Sequence, residues 1–154
     1  PGFSIGSAAE RNRMPRRSAK MIHELGNATV PRVSIVLRKG YGLGYVAMCG
    51  GRGFGADACY AWPTAQICAM SVEGAVDIAY RKDIEAAPDP EARRAELIEG
   101  FKDRLGALRS VEHFGIDDVI DPRDTRRLIV EALLTTPARH RLDLPPKFRS
   151  IAPI

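Results

Sequence analysis

A chain of 154 residues that is 45% hydrophobic and 27% charged is long enough to enclose one hydrophobic core. It has no apolar run near the ~20 residues that a membrane-spanning helix needs, and its start lacks the layout of a secretion signal. The formal charge is +4, but only 6% of the residues are aromatic and they do not alternate with the basic clusters, as a nucleic-acid stacking surface requires. We therefore expect a cytoplasmic protein that binds neither membrane nor nucleic acid.

The spacing of cysteine and histidine predicts neither a disulfide framework nor a metal centre. The three cysteines are odd in number and lack a CxxC spacing, so buried, reduced thiols are expected. The three histidines are far apart and lack the HxH or HExxH spacing of metal ligands. The basic clusters at 11–20 and 123–127 are interpreted as solvated helix faces, with contact to an acidic partner or to the phosphates of a ligand as the alternative.

Hydrophobic periodicity and turn residues divide the chain into short elements. In chain order they predict a helix over 8–25, a strand over 30–37, a short helix over 45–48, strands over 58–62 and 66–70, helices over 73–84 and 90–104, a strand over 117–120 and a helix over 121–136. Pro15 is expected to start or kink the first helix, and Asp89 with Pro90 predicts a capped helix start. Strands that alternate with helices indicate the α/β class with right-handed crossovers. Residues 137–154 are predicted to be an extended tail.

The glycine-rich segment after the first strand is the strongest candidate for a functional site. Glycines at 40, 42 and 44 let the backbone turn sharply and bring amide N–H groups close to a ligand. A helix directly after them would place the last of these amides at its N-terminus, which is the arrangement of an oxyanion hole. A strand, a glycine turn and a helix also form an ordinary connection, so the residues alone leave both interpretations open.

Side-chain catalysis is not indicated elsewhere. Ser71 lacks the G-x-S-x-G context of a nucleophile. The carboxylate pairs Asp117–Asp118 and Glu96–Glu99 fit surface or capping positions better than a catalytic dyad. Trp62 is interpreted as packing at a strand end, with a ligand-facing role as the alternative.

Several short motifs follow one another at a specific spacing. In chain order they are PGF at 1–3, SAKM at 18–21, ATVP at 28–31, YGLGY at 41–45, GAD at 55–57, AWPTA at 61–65, EGAV at 73–76 and DVIDP at 118–122. Their order resembles the C-terminal domain of the carboxyltransferase subunit of biotin-dependent acyl-CoA carboxylases, from Pro1 to about Leu134. The resemblance implies a crotonase-like spiral of strand–strand–helix units.

The resemblance also implies a reaction and a set of site residues. The family moves a carboxyl group between biotin, carried on a partner protein or domain, and the α-carbon of an acyl-CoA. By position, the backbone amides of Leu43 and Gly44 would stabilise the biotin ureido oxygen, with Gly42, Tyr41 and Tyr45 beside the cofactor. The apolar residue at 46, Val46, stands where the family sets acyl preference and suggests a short acyl group. No metal is implied.

The sequence departs from the family pattern in the loop itself. The usual second glycine is Leu43, whose Cβ disfavours a positive φ, and the usual alanine is Gly44. The family's NPYxAA segment is also absent after Leu108. Three interpretations therefore remain: a carboxylase component, a biotin-dependent decarboxylase subunit that shares these motifs, and a catalytically degenerate assembly module.

The resemblance also predicts the organisation of the protein. Residues 1–136 would be one C-terminal, biotin-side domain that lacks its first strands, with an acyl-CoA-binding domain upstream. The family's active site forms between two subunits, so this piece alone is expected to be half a site and inactive. The expected partners are a biotin carboxyl carrier or biotin carboxylase subunit and further copies in a dimer-based oligomer, up to a hexamer.

Overall fold

The computed structural model describes residues 2–102, 106–113 and 115–137, and within them the chain is an assembly of short parallel strands and helices. The strands are β1 (Val33–Val36), β2 (Lys39–Tyr41), β3 (Ala58–Ala61), β4 (Gln66–Cys68) and β5 (Asp118–Val119). The helices are α1 (Ser7–Arg11), α2 (Met14–Asn27), α3 (Gly42–Ala47), α4 (Val72–Ala79), α5 (Arg81–Ala86), α6 (Pro90–Lys102), α7 (Ala107–His113) and α8 (Thr125–Thr135). Single 3₁₀ turns lie at Arg52–Phe54 and Pro122–Asp124.

The strands form two parallel sheets that repeat one unit. β1, β2 and α3 make the first strand–strand–helix unit, and β3, β4 and α4 make the second. The first strands pair in the order β1-β3-β5, with Val33 opposite Ala58, and the second strands pair as β2-β4, with Lys39 opposite Gln66. The predicted α/β class is thus confirmed, and the repeat is structural although the sequence shows no internal repeat.

The hydrophobic core lies where the two sheets meet α3 and α7. Ile67 and Cys59 are the largest of its fully buried side chains, and Val76 of α4 is fully buried outside this cluster. Tyr45 of α3 belongs to the same core, with only 7% of its surface exposed. Through Tyr45, α3 therefore packs against the strands of the core.

The strand predicted at 30–37 is shorter and less buried than expected. β1 covers Val33–Val36, of which only Val36 is buried. The prediction of a strand covered on both faces was wrong for Val33, Ser34 and Ile35, whose side chains on both faces are only partly buried.

The glycine segment also differs from its prediction. Residues 39–41 form β2 rather than a turn, and α3 begins at Gly42 instead of at Tyr45. The whole change of direction falls on Gly42, whose φ is +51°. A single glycine in the left-handed region is enough for this turn, so the residues before it can form a strand and the residues after it can form a helix.

Two of the predicted helices are interrupted. The first breaks at Arg13, which has a left-handed φ of 56°, and α2 then begins with Pro15 in its first turn. The helix predicted at 73–84 breaks at Tyr80, between α4 and α5. The start of α6 is confirmed, because Asp89 Oδ1 accepts a hydrogen bond of 3.0 Å from the amide of Ala92.

Among the described residues after α6, one helix was not predicted and one was. α7 was missed, whereas β5 and α8 are at their predicted positions, with Asp121 capping the 3₁₀ turn before α8. The predicted end of α6 near Arg104 and the tail beyond Pro137 lie outside the described residues.

Ion pairs connect α6 to the two helices before it, with Arg94–Asp77 reaching α4 and Arg93–Asp83 reaching α5. No helix in the described ranges is both long and apolar enough to cross a membrane.

Candidate active site

The site is built around the start of α3, where the chain leaves β2. Tyr41 is in an extended conformation and makes no side-chain capping bond to the helix. Gly42 then has a φ of +51°, and a Cβ atom at this position would be 2.6 Å from the carbonyl oxygen of Ala69. Only glycine can adopt this φ without strain and also fit beside the Ala69 carbonyl, so Gly42 fixes the direction in which α3 leaves the sheet.

Leu43 does not carry the strain that its sequence position suggested. Among the described residues, the non-glycine residues with positive φ are Arg13 and Cys49. The backbone of Leu43 is therefore ordinary, and its Cβ is compatible with the loop. Its side chain is 53% exposed and projects from the first turn of the helix.

The backbone amides of this first turn are available for a ligand. The first N–H groups of any α-helix have no acceptor within the helix, and those of Leu43 and Gly44 occupy such positions in α3. Aligned peptide dipoles add a partial positive charge at the same end, although α3 has only 6 residues. The geometry therefore offers adjacent donors to an anionic oxygen.

An apolar groove of about 600 Å³ borders this helix start. It lies between the N-terminal segment with α1 and α2 on one side and β4 with α4 on the other. Its apolar wall includes Phe3, Met14, Leu43, Met70 and Ile78. Three of these side chains are substantially exposed, with Leu43 at 53%, Met70 at 44% and Ile78 at 72%.

The two tyrosines of the loop are both buried but differ in their surroundings. Tyr41 lines the groove, and its hydroxyl donates to Gln66 Oε1 at 3.0 Å. Tyr45 lies in the core, with its hydroxyl 3.9 Å from Cys59 Sγ. Burial is the main cause that raises the pKa of each hydroxyl above its usual value. Both remain protonated near neutral pH, so neither serves as a base.

Val46 and Gly44 lie farther along α3. Val46 is half-buried in the second turn of the helix. Gly44 and Met48 line a second groove of about 520 Å³ on another side of α3, together with Arg38 and Lys39 of the strand region. The structure thus brings Tyr41, Gly42 and Leu43 together at the first groove, and it brings neither Gly44 nor Val46 to that wall.

The remaining candidates have structural partners. Ser71 caps α4, with its Oγ accepting a hydrogen bond of 3.2 Å from the Gly74 amide. Asp117 accepts from the Cys59 amide at 2.8 Å and pairs with Arg52. Trp62 donates its indole N–H to Thr125 Oγ1 at 3.0 Å.

Glu96 and Glu99 form ion pairs along α6, which agrees with their interpretation as surface residues. Within the residues that the structure describes, no group of three or more His, Cys, Asp or Glu side chains is arranged to hold a metal ion. Cys49, Cys59 and Cys68 are free thiols, and the first two are buried.

The sequence did not identify the wall formed by Met70 and Ile78. The signal that could have found it is strand pairing: β2 ends at Tyr41 and its parallel neighbour β4 ends at Cys68. Residues after the carboxyl ends of adjacent parallel strands meet at one edge of the sheet. Gly42 and Met70 follow these two ends, so they belong to one site.

Comparison with known proteins identifies the family of the chain. Residues 1–151 match the family described as the carboxyl transferase domain. The methylmalonyl-CoA carboxyltransferase 12S subunit of Propionibacterium freudenreichii is 48% identical over 134 residues, which are 86% of this chain and 25% of that protein. A biotin-dependent acetyl-/propionyl-coenzyme A carboxylase beta6 subunit of Mycobacterium tuberculosis is 39% identical over 142 residues, covering 90% of this chain and 30% of the relative.

A solved structure supports the fold over the whole chain. The crystal structure of transcarboxylase 12S, described as a hexamer assembly with methylmalonyl-coenzyme A and methylmalonic acid bound, superposes with a TM-score of 0.86 at 44% identity. It covers 100% of this chain and 29% of its own, so this chain spans about a quarter of the length of its relatives. The predicted crotonase-like spiral is confirmed. The chain belongs to the carboxyl transferase domain family.

Proposed function

We propose that this chain is the biotin side of a carboxyltransferase that moves a carboxyl group from carboxybiotin to the α-carbon of a short acyl-CoA. Residues 1–136 form its C-terminal domain in this proposal, and the acyl-CoA-binding part belongs to the portion that relatives have outside the matched quarter. The observation that carries the proposal is the start of α3, where Gly42 turns the chain, Leu43 lines an apolar groove, and the amides of Leu43 and Gly44 follow one another in the first helical turn.

The donor set of the site fits the biotin ureido group. When bound, biotin supplies the carboxyl group on its ureido nitrogen. The amides of Leu43 and Gly44 would hold the ureido oxygen by hydrogen bonds and stabilise negative charge there. The apolar wall at Leu43, Met70 and Ile78 would exclude water from this position, which would strengthen those hydrogen bonds.

The partners follow from the same proposal. Biotin arrives on a carboxyl carrier protein or domain, and an acyl-CoA-binding domain completes the site. Val46 is assigned to acyl preference, where its apolar side chain favours a short apolar acyl group. We place the protein in the cytoplasm as a dimer-based oligomer, up to a hexamer, in keeping with the hexamer named for the 12S structure.

The first test is carboxyl transfer by the full-length subunit that contains this chain. Malonyl-, methylmalonyl- and longer carboxyacyl-CoA are offered as donors, with free biotin as acceptor, and carboxybiotin is measured. Transfer from a short carboxyacyl-CoA is the expected result, and the order of rates identifies the substrate. A folded, oligomeric protein without turnover on any donor would favour the degenerate assembly module instead.

The second test addresses the amides themselves. Gly44→Pro removes one donor without breaking a helical hydrogen bond, because the lost N–H lies in the first turn of α3. Loss of one such donor costs about 3–4 kcal/mol of transition-state stabilisation, so transfer should fall below detection while the melting temperature stays near that of the wild type. Gly44→Ala, which keeps the N–H and restores the family's usual residue, is the matched control. Retained transfer in a folded Gly44→Pro variant would contradict the amide assignment.

A further inference from the structure

Tyr45 directly follows the two proposed donor residues but has its side chain on the buried side of α3. It is 7% exposed and packs in the core cluster that also contains Val36 and Ile67. Its hydroxyl lies 3.9 Å from Cys59 Sγ, and this sulfur also accepts a hydrogen bond of 3.2 Å from the amide of Gly51. The side chain of Tyr45 is thus placed to act on the protein rather than on a ligand.

Two glycines leave room for the Tyr45 ring. A Cβ atom on Gly40, in β2, would be 3.0 Å from Tyr45 Cδ2. A Cβ atom on Gly50, in the turn after α3, would overlap the ring itself. The ring is therefore held in contact with the strand before the helix and with the turn after it. An added methyl group would be tight at Gly40 and would displace the ring at Gly50.

The turn that carries Gly50 is itself closed by hydrogen bonds onto α3. The Gly50 amide donates to the Tyr45 carbonyl at 2.8 Å, and the Cys49 amide donates to the Val46 carbonyl at 3.1 Å. Cys49 has a left-handed φ of 58°, so these bonds form a Schellman motif. The backbone and the ring of Tyr45 are consequently fixed by the same short segment.

We propose that Tyr45 is a positioning residue of the transfer site, whose ring, held between Gly40 and Gly50, fixes the direction of the Leu43 and Gly44 amides. The three residues are consecutive within one turn of α3, so any rotation of Tyr45 about the helix axis rotates both donors. A misplacement of about 1 Å can cost a factor of 100 in rate. This inference rests on the proposed function and adds a residue that does not touch the reacting groups.

The experiment uses the full-length subunit with carboxyacyl-CoA and free biotin. Tyr45→Leu and Tyr45→Ala remove the ring, Tyr45→Phe keeps it, and Gly50→Ala pushes a methyl group into it. Gly53→Ala is the matched control in the same turn, because a Cβ atom there would meet no atom within 4 Å. For each variant, kcat, the KM for acyl-CoA, the oligomeric state and the melting temperature are measured.

The variants that disturb the ring are expected to lower kcat and to leave the KM for acyl-CoA nearly unchanged. Tyr45→Leu and Gly50→Ala should lose about tenfold or more in kcat while the KM for acyl-CoA changes less than about twofold. Tyr45→Phe should restore most of the kcat that Tyr45→Leu loses, and Gly53→Ala should resemble the wild type. The double variant Tyr45→Ala/Gly50→Ala should be no slower than Tyr45→Ala alone, because the three Tyr45 atoms nearest to the added methyl group, Cδ2, Cε2 and Cγ, are then absent.

Three outcomes would overturn the positioning role. They are wild-type kcat in a folded Tyr45→Leu variant, a loss confined to KM or to the amount of folded protein, and additive losses in the double variant. If Gly50→Ala fails to fold, the comparison of Tyr45→Leu with Tyr45→Phe still decides the question. A failure of the proposed function is recognised separately, since it would show as absent transfer in the wild type or as full transfer in Gly44→Pro.

Discussion

Gly42 and Ala69 approach so closely that a Cβ atom on Gly42 would be 2.6 Å from the Ala69 carbonyl oxygen. Gly42 follows β2, and Ala69 follows its parallel neighbour β4. The contact therefore joins the ends of two adjacent strands at the edge where the proposed donors begin. Because the φ of Gly42 is also +51°, both the backbone conformation and the space around it require glycine.

The first prediction concerns this contact. Gly42→Ala should destabilise the protein by about 1–3 kcal/mol from the left-handed φ, with the overlap against Ala69 adding to that cost. Because the start of α3 must shift to relieve the overlap, carboxyl transfer should also be lost. Urea unfolding and the transfer assay measure the two effects.

Gly26→Ala is the control for the Gly42 variant. Gly26 lies in α2, has no positive φ, and a Cβ atom there would meet nothing within 4 Å. Alanine should therefore stabilise this helix by up to about 1 kcal/mol and leave transfer unchanged. A Gly42→Ala variant with wild-type stability would contradict the close approach to Ala69.

Local chemistry explains which elements the sequence predicted well. The start of α6 was predicted at the right residue, because Asp89 and Pro90 form a cap that needs no distant partner. β3 was also predicted, since residues 58–61 are apolar and bounded by breakers. Where an element depends only on residues close to it in the sequence, the sequence pattern is sufficient to predict it.

Long-range contacts explain why the remaining features could not be predicted from the sequence. β2 carries only Lys39, Gly40 and Tyr41, which have no strand pattern, and it becomes a strand by pairing with β4. The sequence identified Tyr45 as part of the loop but could not show that its ring faces the core, because that depends on Gly50 and Cys59. The glycine pattern located the candidate loop and the family resemblance suggested its role, whereas the placement of its side chains required the structure.

The second prediction concerns Asp117, which connects β5 to β3. Its Oδ2 accepts a hydrogen bond of 2.8 Å from the amide of Cys59, a residue with no exposed surface, and its Oδ1 pairs with Arg52 Nε at 2.8 Å. Asp117→Ala leaves the buried amide without its acceptor and should cost about 1–3 kcal/mol in the free energy of unfolding. Asp117→Asn keeps an oxygen for that amide and should cost less.

Arg52→Ala separates the ion pair from the hydrogen bond. The Arg52 side chain is 62% exposed, so loss of its charge should change the free energy of unfolding by less than about 1 kcal/mol. The expected order of stability is therefore wild type, then Arg52→Ala and Asp117→Asn, then Asp117→Ala, measured by urea unfolding. If Arg52→Ala were as unstable as Asp117→Ala, the ion pair rather than the buried amide would be the main contribution.

The third prediction is a loss of stability at alkaline pH that depends on Cys59. Burial raises the pKa of the Cys59 thiol, and hydrogen bonds from the Gly51 amide and the Tyr45 hydroxyl only partly oppose that effect. In the unfolded chain the thiol loses its proton near pH 8.5, whereas in the folded protein it keeps the proton to higher pH. Above about pH 8.5 the native state therefore binds more protons than the unfolded state, and the free energy of unfolding falls as the pH rises.

Cys59→Ser tests this dependence, because a serine hydroxyl does not titrate in the same range. Between about pH 8.5 and the raised pKa of the folded thiol, the wild type should lose stability more steeply than the variant, by up to about 1.4 kcal/mol per pH unit. Below pH 8 the two curves should run parallel, whatever the absolute stability of the variant. Cys68, whose pKa is also raised chiefly by burial, is present in both proteins and contributes equally to both slopes. Because Cys59 itself helps to raise the pKa of Tyr45, the slopes are compared below about pH 9.5, where tyrosines keep their protons in both states. Parallel curves across the alkaline range would show that the Cys59 thiol titrates alike in the folded and unfolded states.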